Sequence, residues 1–335
     1  MIGYYVHHQG LGHLHRALCV AGQARSPLTG LSSLDPPDGW PGEWVRLPLD
    51  TGAEPVIDVR AQGRLHWAPL RHPGYQERMA AIADWLARTR PALLVSDVSV
   101  EVACLARLMG VPVVVAAMRG RRRDPPHRLG HDIALRLLAP WPAAFPEPGW
   151  PAHWYEKTVY TCAFSRSDGR TATRPPPPVP GGRRRVLLML GAGGSRITAA
   201  EVREARAATP QWEWDVLGGP SGDWSGDPWP RICAAHVVVT HAGQNAVAEC
   251  AAARRPAVIL PQPRPYDEQY GTARALALAR LAVVRPAWPP APEWPAVLAE
   301  AAALDGDAWA RWAPGDGARR AARALDELAG TRWDP

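Results

Sequence analysis

Short apolar runs alternate along the chain with longer segments whose apolar residues recur every three or four positions. In the first half, "IGYYV" (2–6), "ALLVSD" (92–97), "VPVVVAA" (111–117) and "TVYTCAF" (158–164) predict strands. Between them, "YQERMAAIADWLARTR" (75–90) and "VEVACLARLMG" (100–110) carry helical spacing, the second closed by Gly110. Uninterrupted apolar runs suit strands buried on both faces. With a helix after each, they predict a doubly wound parallel sheet.

The alternation stops at "RTATRPPPPVPGG" (170–182), where four consecutive prolines fit the interior of neither a helix nor a strand. It resumes with "VLLML" (186–190), "WDVL" (214–217), "HVVVT" (236–240) and "AVILP" (257–261) as strands, and with helices near 198–208, 244–253 and 267–280. The expected fold class is therefore α/β, with two Rossmann-like domains facing each other across a cleft. Residues 1–172 form the first, 173–184 a Pro/Gly-rich linker, and 185–335 the second. Ligands of such sheets bind outside the carboxyl ends of the strands, so the cleft is the expected site.

Composition narrows the partners. The 335 residues suffice for two cores, and the net charge of +6 is carried almost wholly by arginine, Lys157 being the sole lysine. That bias reads as codon supply. The runs "RGRRR" (119–123) and "GGRRR" (181–185) are short and no aromatic-interleaved basic stripe accompanies them, which argues against nucleic acid. Cys19, Cys104, Cys162, Cys233 and Cys250 are scattered without CxxC spacing, so neither a zinc site nor a disulfide framework is expected. No apolar stretch approaches the ~20 residues of a membrane helix, and the N-terminus lacks secretory-signal character. The expectation is a cytoplasmic protein, at most peripheral to the inner face of the membrane.

Candidate chemistry begins at "HHQGLGHLHRA" (7–17). Gly10 and Gly12 allow a tight turn after the first strand, and a helix begins near His13 with Leu14, Ala17, Leu18 and Ala21 as its buried stripe. The unpaired amides and positive dipole end of that helix suit a phosphate. His13 stands at the edge of the turn and is the histidine expected to act. His7 and His8 are expected to be structural, and His15 to face solvent or pack partly. Asp97, at the end of the "ALLVSD" strand, is placed to orient His13, to bind the acceptor or to cap the next helix.

The second half carries "VVVTHAGQNAVAECAAARRPAVILPQPRPYDEQYGTARAL" (237–276). A buried strand ends at Thr240, a turn runs through His241, Ala242 and Gly243, and a helix starts near Gln244. Ala246, Val247, Cys250 and Ala251 form its apolar stripe, with Asn245 and Glu249 on the other face. That helix start suits a diphosphate, and Glu249, one turn deeper, suits a ribose diol. The alternative for Glu249 is a surface ion pair with Arg254 or Arg255. Asp267, Glu268 and Gln269 follow the next strand and face the same cleft.

This second half resembles the donor-binding domain of GT-B glycosyltransferases, especially the family 28 group that includes the lipid-linked muramyl-peptide N-acetylglucosaminyltransferase. The "HxGxxxxxE" turn and helix and the downstream acidic-x-Gln carry the resemblance. It implies phosphate contacts for His241, Gly243 and Asn245, a ribose contact for Glu249, and sugar contacts for Asp267 and Gln269. The loop "LGAGGSR" (190–196), with Gly191, Gly193, Gly194 and Ser195, resembles the family's second glycine loop. "GLGHLHRA" resembles its first, where the histidine lies beside the reacting centre.

The resemblance implies a metal-independent hexosyltransferase without a resident cofactor, using a nucleotide-sugar co-substrate, with UDP as the implied nucleotide. His13 is the implied base on an acceptor hydroxyl, which a lipid-linked compound or a glycan could supply. The first loop departs from the muramyl enzyme, which has a Thr-Gly-Gly run there. With Arg16 following, it is also similar to nucleotide-sugar hydrolases of the same fold. Hydrolysis, with water at His13, and non-catalytic nucleotide-sugar binding are the two alternatives.

Overall fold

The computed structural model describes residues 1–52, 56–173, 182–191, 196–219 and 226–331. The first domain runs β1 (Ile2–Tyr5), α1 (Leu11–Ala21), β2 (Leu28–Ser32), β3 (Trp44–Arg46), α2 (Pro73–Thr89) and β4 (Leu93–Asp97). It continues with α3 (Val100–Leu108), β5 (Val113–Ala116), α4 (Pro125–Ile133), β6 (Arg136–Ala139), α5 (Ala152–Glu156) and β7 (Thr158–Tyr160). All seven strands are parallel, in the order β3-β2-β1-β4-β5-β6-β7. Every residue of β1, β4 and β5 is buried, as runs without polar alternation require.

The second domain runs β8 (Arg184–Met189), α6 (Ala199–Ala208), β9 (Trp212–Leu217), α7 (Trp229–Ala234), β10 (Val237–Thr240) and α8 (Gln244–Ala252). Then follow β11 (Ala257–Ile259), α9 (Glu268–Leu278), β12 (Val283–Val284), α10 (Trp294–Ala302) and α11 (Gly317–Ala329). Its five strands are parallel in the order β12-β11-β10-β8-β9. Each sheet reverses its strand order once, between β1 and β4 in the first and between β8 and β10 in the second. A crevice opens at such a switch point. α1 leaves from the first and α8 from the second.

The helix starts differ in a telling way. Ser99 caps α3 by accepting from Val102 N–H at 3.2 Å, and Thr198 and Glu201 form a reciprocal capping box at α6. α1 and α8 start instead on glycines, Gly10 and Gly243, and neither has a side-chain cap. Their first-turn amides remain directed at the cleft.

α11 crosses between the two halves of the chain. Within residues 185–335, expected as the second domain, it returns to the first, where Ala318, Ala321, Ala322 and Leu325 pack with Ile2, Tyr4 and Val20. The Asp326 carboxylate ties it down by accepting the backbone N–H groups of Arg25 (3.0 Å) and Ser26 (2.8 Å). The cause is the apolar face of α1, which no other helix covers as extensively. Most of the linker at 173–184 lies outside the described residues, as do Gly193, Gly194 and Ser195. Among the described residues, no helix is long and apolar enough to cross a membrane.

Candidate active site

α1 starts at Leu11, so Gly12 and His13 lie within its first turn and Gly10 takes the turn conformation at φ 89°. The buried stripe of α1 is Arg16, Ala17, Val20 and Ala21, with Leu14 and Leu18 only partly covered. The helix thus turns a cation inward where only apolar residues were expected. The reason is Asp97, fully buried at the end of β4. Arg16 meets it with Nε at 3.0 Å from Oδ2 and with Nη2 on Oδ1, while Nη1 reaches Gln244 Oε1 at 2.7 Å across the cleft.

His13 Nδ1 lies 2.9 Å from Asp97 Oδ1. Arg16 Nη2 is also 3.0 Å from that nitrogen, and both contacts cannot use it at once. Arg16 is already satisfied by Asp97 and Gln244, so the proton on Nδ1 is the one that pairs with the carboxylate. This leaves the Nε2 lone pair free to act as a base. Burial opposes charge on Asp97, but the Arg16 guanidinium and His13 overcome it and hold the carboxyl well below the usual carboxylate range. Asp97 therefore orients His13 rather than capping α3, a place taken by Ser99.

The donor-side residues gather at the carboxyl ends of β8, β10 and β11. His241 Nδ1 accepts from Gly243 N–H at 2.9 Å, which fixes the turn into α8. Burial, helped by the Arg264 cation, pushes its imidazole down to about 4, so it is neutral. Gly191 has to be glycine: a Cβ there would lie 2.5 Å from His241 Nε2. Gln269 is buried and its Oε1 accepts from Ala242 N–H (3.2 Å) and Gln262 N–H (2.9 Å). It braces the turn from behind, a role its spacing in sequence did not reveal. Asn245 Nδ2 stands 3.4 Å from Gly12 O, so the starts of α1 and α8 meet across the cleft.

Glu249 is buried, and its partner is not Arg254 or Arg255 as the alternative had it. Arg166 Nε donates to Glu249 Oε1 at 3.1 Å, and its Nη1 donates to Gly226 O at 2.8 Å. Arg254 instead donates to the carbonyls of Ala251 and Ala313. Burial pushes the Glu249 carboxyl up, against the pull of Arg166. Asp267 is half exposed in left-handed backbone, φ 55°, beside Tyr266 at φ 61°. Arg121 of the first domain holds it at 3.1 Å, and Glu268 Oε2 lies 4.0 Å from Arg122.

A second contact closes the cleft farther out. Gly120 packs its backbone on Tyr266 O at a point where a Cβ would fall 2.2 Å away, and Arg121 N–H donates to that same oxygen at 2.6 Å. The Tyr266 ring rests 4.5 Å from His127 and 5.6 Å from His66. His66, Asp124 and His127 bring three possible metal-ligand atoms within 4.8 Å of one another. However, Arg122 donates to His127 Nε2 at 2.8 Å, which leaves the proton on Nδ1 facing Asp124. Both ring nitrogens of His127 are committed to hydrogen bonds, so the group holds the interface together.

His7 and His8, expected to be structural, line a cavity of about 190 Å³ beside α2. Their rings stack with centroids 5.0 Å apart, and His7 lies 5.7 Å from His13. His15 is partly covered near Arg166 and Glu249.

Residues 229–286 match the glycosyltransferase family 28 C-terminal domain. The chain has the GT-B fold, and the family 28 match lies within its second domain. Three solved structures are similar over nearly the whole length. The glycosyltransferase of kitacinnamycin shares 16% identity with a TM-score of 0.67, covering 98% of each chain. The spinosyn rhamnosyltransferase SpnG shares 15% at 0.64, covering 97% of this chain and 99% of its own. MurG of Acinetobacter baumannii shares 14% at 0.61, covering 98% of each. At such identities the likeness carries the fold alone. No curated protein matches the chain.

Proposed function

We propose that this GT-B protein transfers a sugar from a nucleoside diphosphate sugar to an acceptor hydroxyl, with His13 as general base. The observation that carries the reading is the His13–Asp97 pair, which stands at the switch point of the first sheet and is joined through Arg16 to Gln244 at the start of α8. Asp97 holds the Nδ1 proton and stabilises the imidazolium that forms when Nε2 takes the acceptor proton. The uncapped starts of α1 and α8 offer fixed N–H dipoles to the diphosphate as negative charge builds on it. His241 and Gly243 shape that turn, Asn245 and Gln244 line it, and Glu249 is the ribose acceptor once Arg166 yields. Asp267 and Glu268 are positioned for the sugar.

The nucleotide is a pyrimidine diphosphate in this reading. SpnG and the SsfS6 glycosyltransferase of Streptomyces sp. SF2575 are solved with thymidine diphosphate, and Phytolacca americana UGT2 with UDP-2-fluoroglucose. Transfer is favoured over hydrolysis because the cavity beside His7 admits a molecule much larger than water. A thermal-shift screen of UDP and thymidine diphosphate sugars tests the donor half. With the stabilising donor in hand, His13→Ala is expected to lose turnover by about 10²–10⁴-fold while keeping the nucleotide-induced shift. Unchanged turnover removes His13 from the mechanism, and steady nucleotide release without acceptor makes the protein a hydrolase.

A further inference from the structure

The cavity beside His7 contains charged groups whose hydrogen bonding is unequal. Arg78, on α2, is 1% exposed and fully engaged by the protein. Its Nε donates to Pro48 O at 3.1 Å, its Nη1 to Tyr5 Oη at 2.7 Å, and its Nη2 to Ser33 Oγ. Glu101 is likewise engaged: Oε1 accepts His66 N–H (2.7 Å) and Trp67 N–H (3.0 Å), and Oε2 accepts the Ser99 hydroxyl (3.0 Å).

Asp50 is the exception. It is 8% exposed, yet its Oδ1 is buried with no hydrogen-bond partner among the described residues, Arg78 lying 3.4 Å and His8 3.6 Å away. His8 Nε2 is likewise buried without a hydrogen-bond partner. Arg78 Nη2 stands 3.4 Å from His8 Nδ1, and a guanidinium only donates, so the His8 proton is on Nε2. An acceptor oxygen and an N–H donor thus sit side by side on the cavity wall, and buried polar atoms of this kind normally find partners.

A hydroxyl satisfies both at once, accepting from His8 and donating to Asp50. A phosphate or carboxylate satisfies only His8 and meets two carboxylates against a single cation, Arg78, each of whose nitrogens already bonds within the protein. The flat faces of Trp67 and Tyr75 complete the lining and suit a ring. Burial keeps His7 and His8 on the neutral side, adding no positive charge.

We propose that Asp50 and His8 form a specificity subsite that anchors a hydroxyl of an uncharged, ring-bearing acceptor and rejects anionic ones. The proposal rests on reading the first domain as the acceptor half. The arginine nearest the cavity does not oppose this selectivity, because its guanidinium is turned into the protein.

A matched pair of probes, phenyl β-glucoside and phenyl β-glucuronide, differs only in a hydroxymethyl against a carboxylate. Ligand-observed NMR titration of the intact protein is expected to give at least tenfold tighter binding of the glucoside. Asp50→Asn should narrow that ratio to within about threefold. His8→Phe, which keeps the stacked ring and any fold support it gives, should weaken the glucoside while leaving the glucuronide as poor as before. Equal binding of the two probes, preference for the glucuronide, binding of neither, or an unchanged ratio in Asp50→Asn each overturns the subsite. Nucleotide binding is measured separately by the thermal shift described above. Failure there removes the transferase reading, and failure of the probes alone removes only this subsite.

Discussion

Arg16 is the residue on which the site turns. It is 4% exposed and holds an ionised Asp97 that is fully buried, so the two charges depend on each other. Removing one partner of such a pair leaves the other buried and uncompensated. Arg16→Met is expected to cost about 3–5 kcal/mol in denaturant unfolding. It should also raise the Asp97 pKa, moving the acid limb of the activity profile to higher pH. Stability within error of the native protein would show that Asp97 is held by other groups. In sequence this residue carried little signal beyond its position one turn after His13, and its partners Asp97 and Gln244 lie 81 and 228 positions away. Glu249 and Arg166, 83 positions apart, were hidden for the same reason. Local spacing exposes groups on one helix or turn. It does not expose what folding brings from elsewhere.

At the scale of elements, the loop after β8 and the turn after β10 are packed so closely that they act as one unit. Gly191→Ala puts a methyl into the His241 ring, forcing the imidazole off Gly243 N–H and disturbing the start of α8. Nucleotide affinity measured by calorimetry is expected to fall about tenfold, the loss of one good charge-assisted contact. Unchanged affinity would mean that this turn does not touch the nucleotide. Most central elements were legible in the sequence, including β1, β4, β5, β8, β9, β10 and β11, because burial makes most of them apolar runs, although β8 opens on two exposed arginines and β9 carries Glu213 and Asp215. β2 was not, for Leu28–Ser32 reads "LTGLS" and buries Thr29 and Ser32 as completely as its leucines. Its Gly30 lies under the Trp44 ring, with no room for a side chain. β3 and β6 escaped for being three and four residues long, with a charged residue at one end. For α8 the expected stripe of Ala246, Val247, Cys250 and Ala251 is buried, but Ala248 and Glu249, which were not in it, are buried as well.

For the molecule as a whole, buried histidines set an acid limit. Burial pushes His127 and His241 down to about 4, and His7 and His131 to about 3, so all four are neutral in the fold. Their unfolded value is about 6.5. The unfolded chain therefore gains protons first as pH falls. Stability is full above about 6.5 and declines below it, by up to about 1.4 kcal/mol per pH unit for each group, until the folded values are reached. Melting temperatures from pH 8 to pH 5 should be flat at first and then fall. His131→Phe, within its cage of Trp150 and Trp154, should soften the slope. A flat profile down to pH 5 would mean that these imidazoles titrate normally.

The return of α11 also sets an order of events during synthesis. α1 and the outer face of β1 emerge early from the ribosome, but the helix that covers them is made only after the whole second sheet. Until then the nascent first domain keeps an apolar groove open beside the helix that carries His13. A helix made after the second sheet thus completes the half of the cleft made before it, and the fold is assembled by closing a ring.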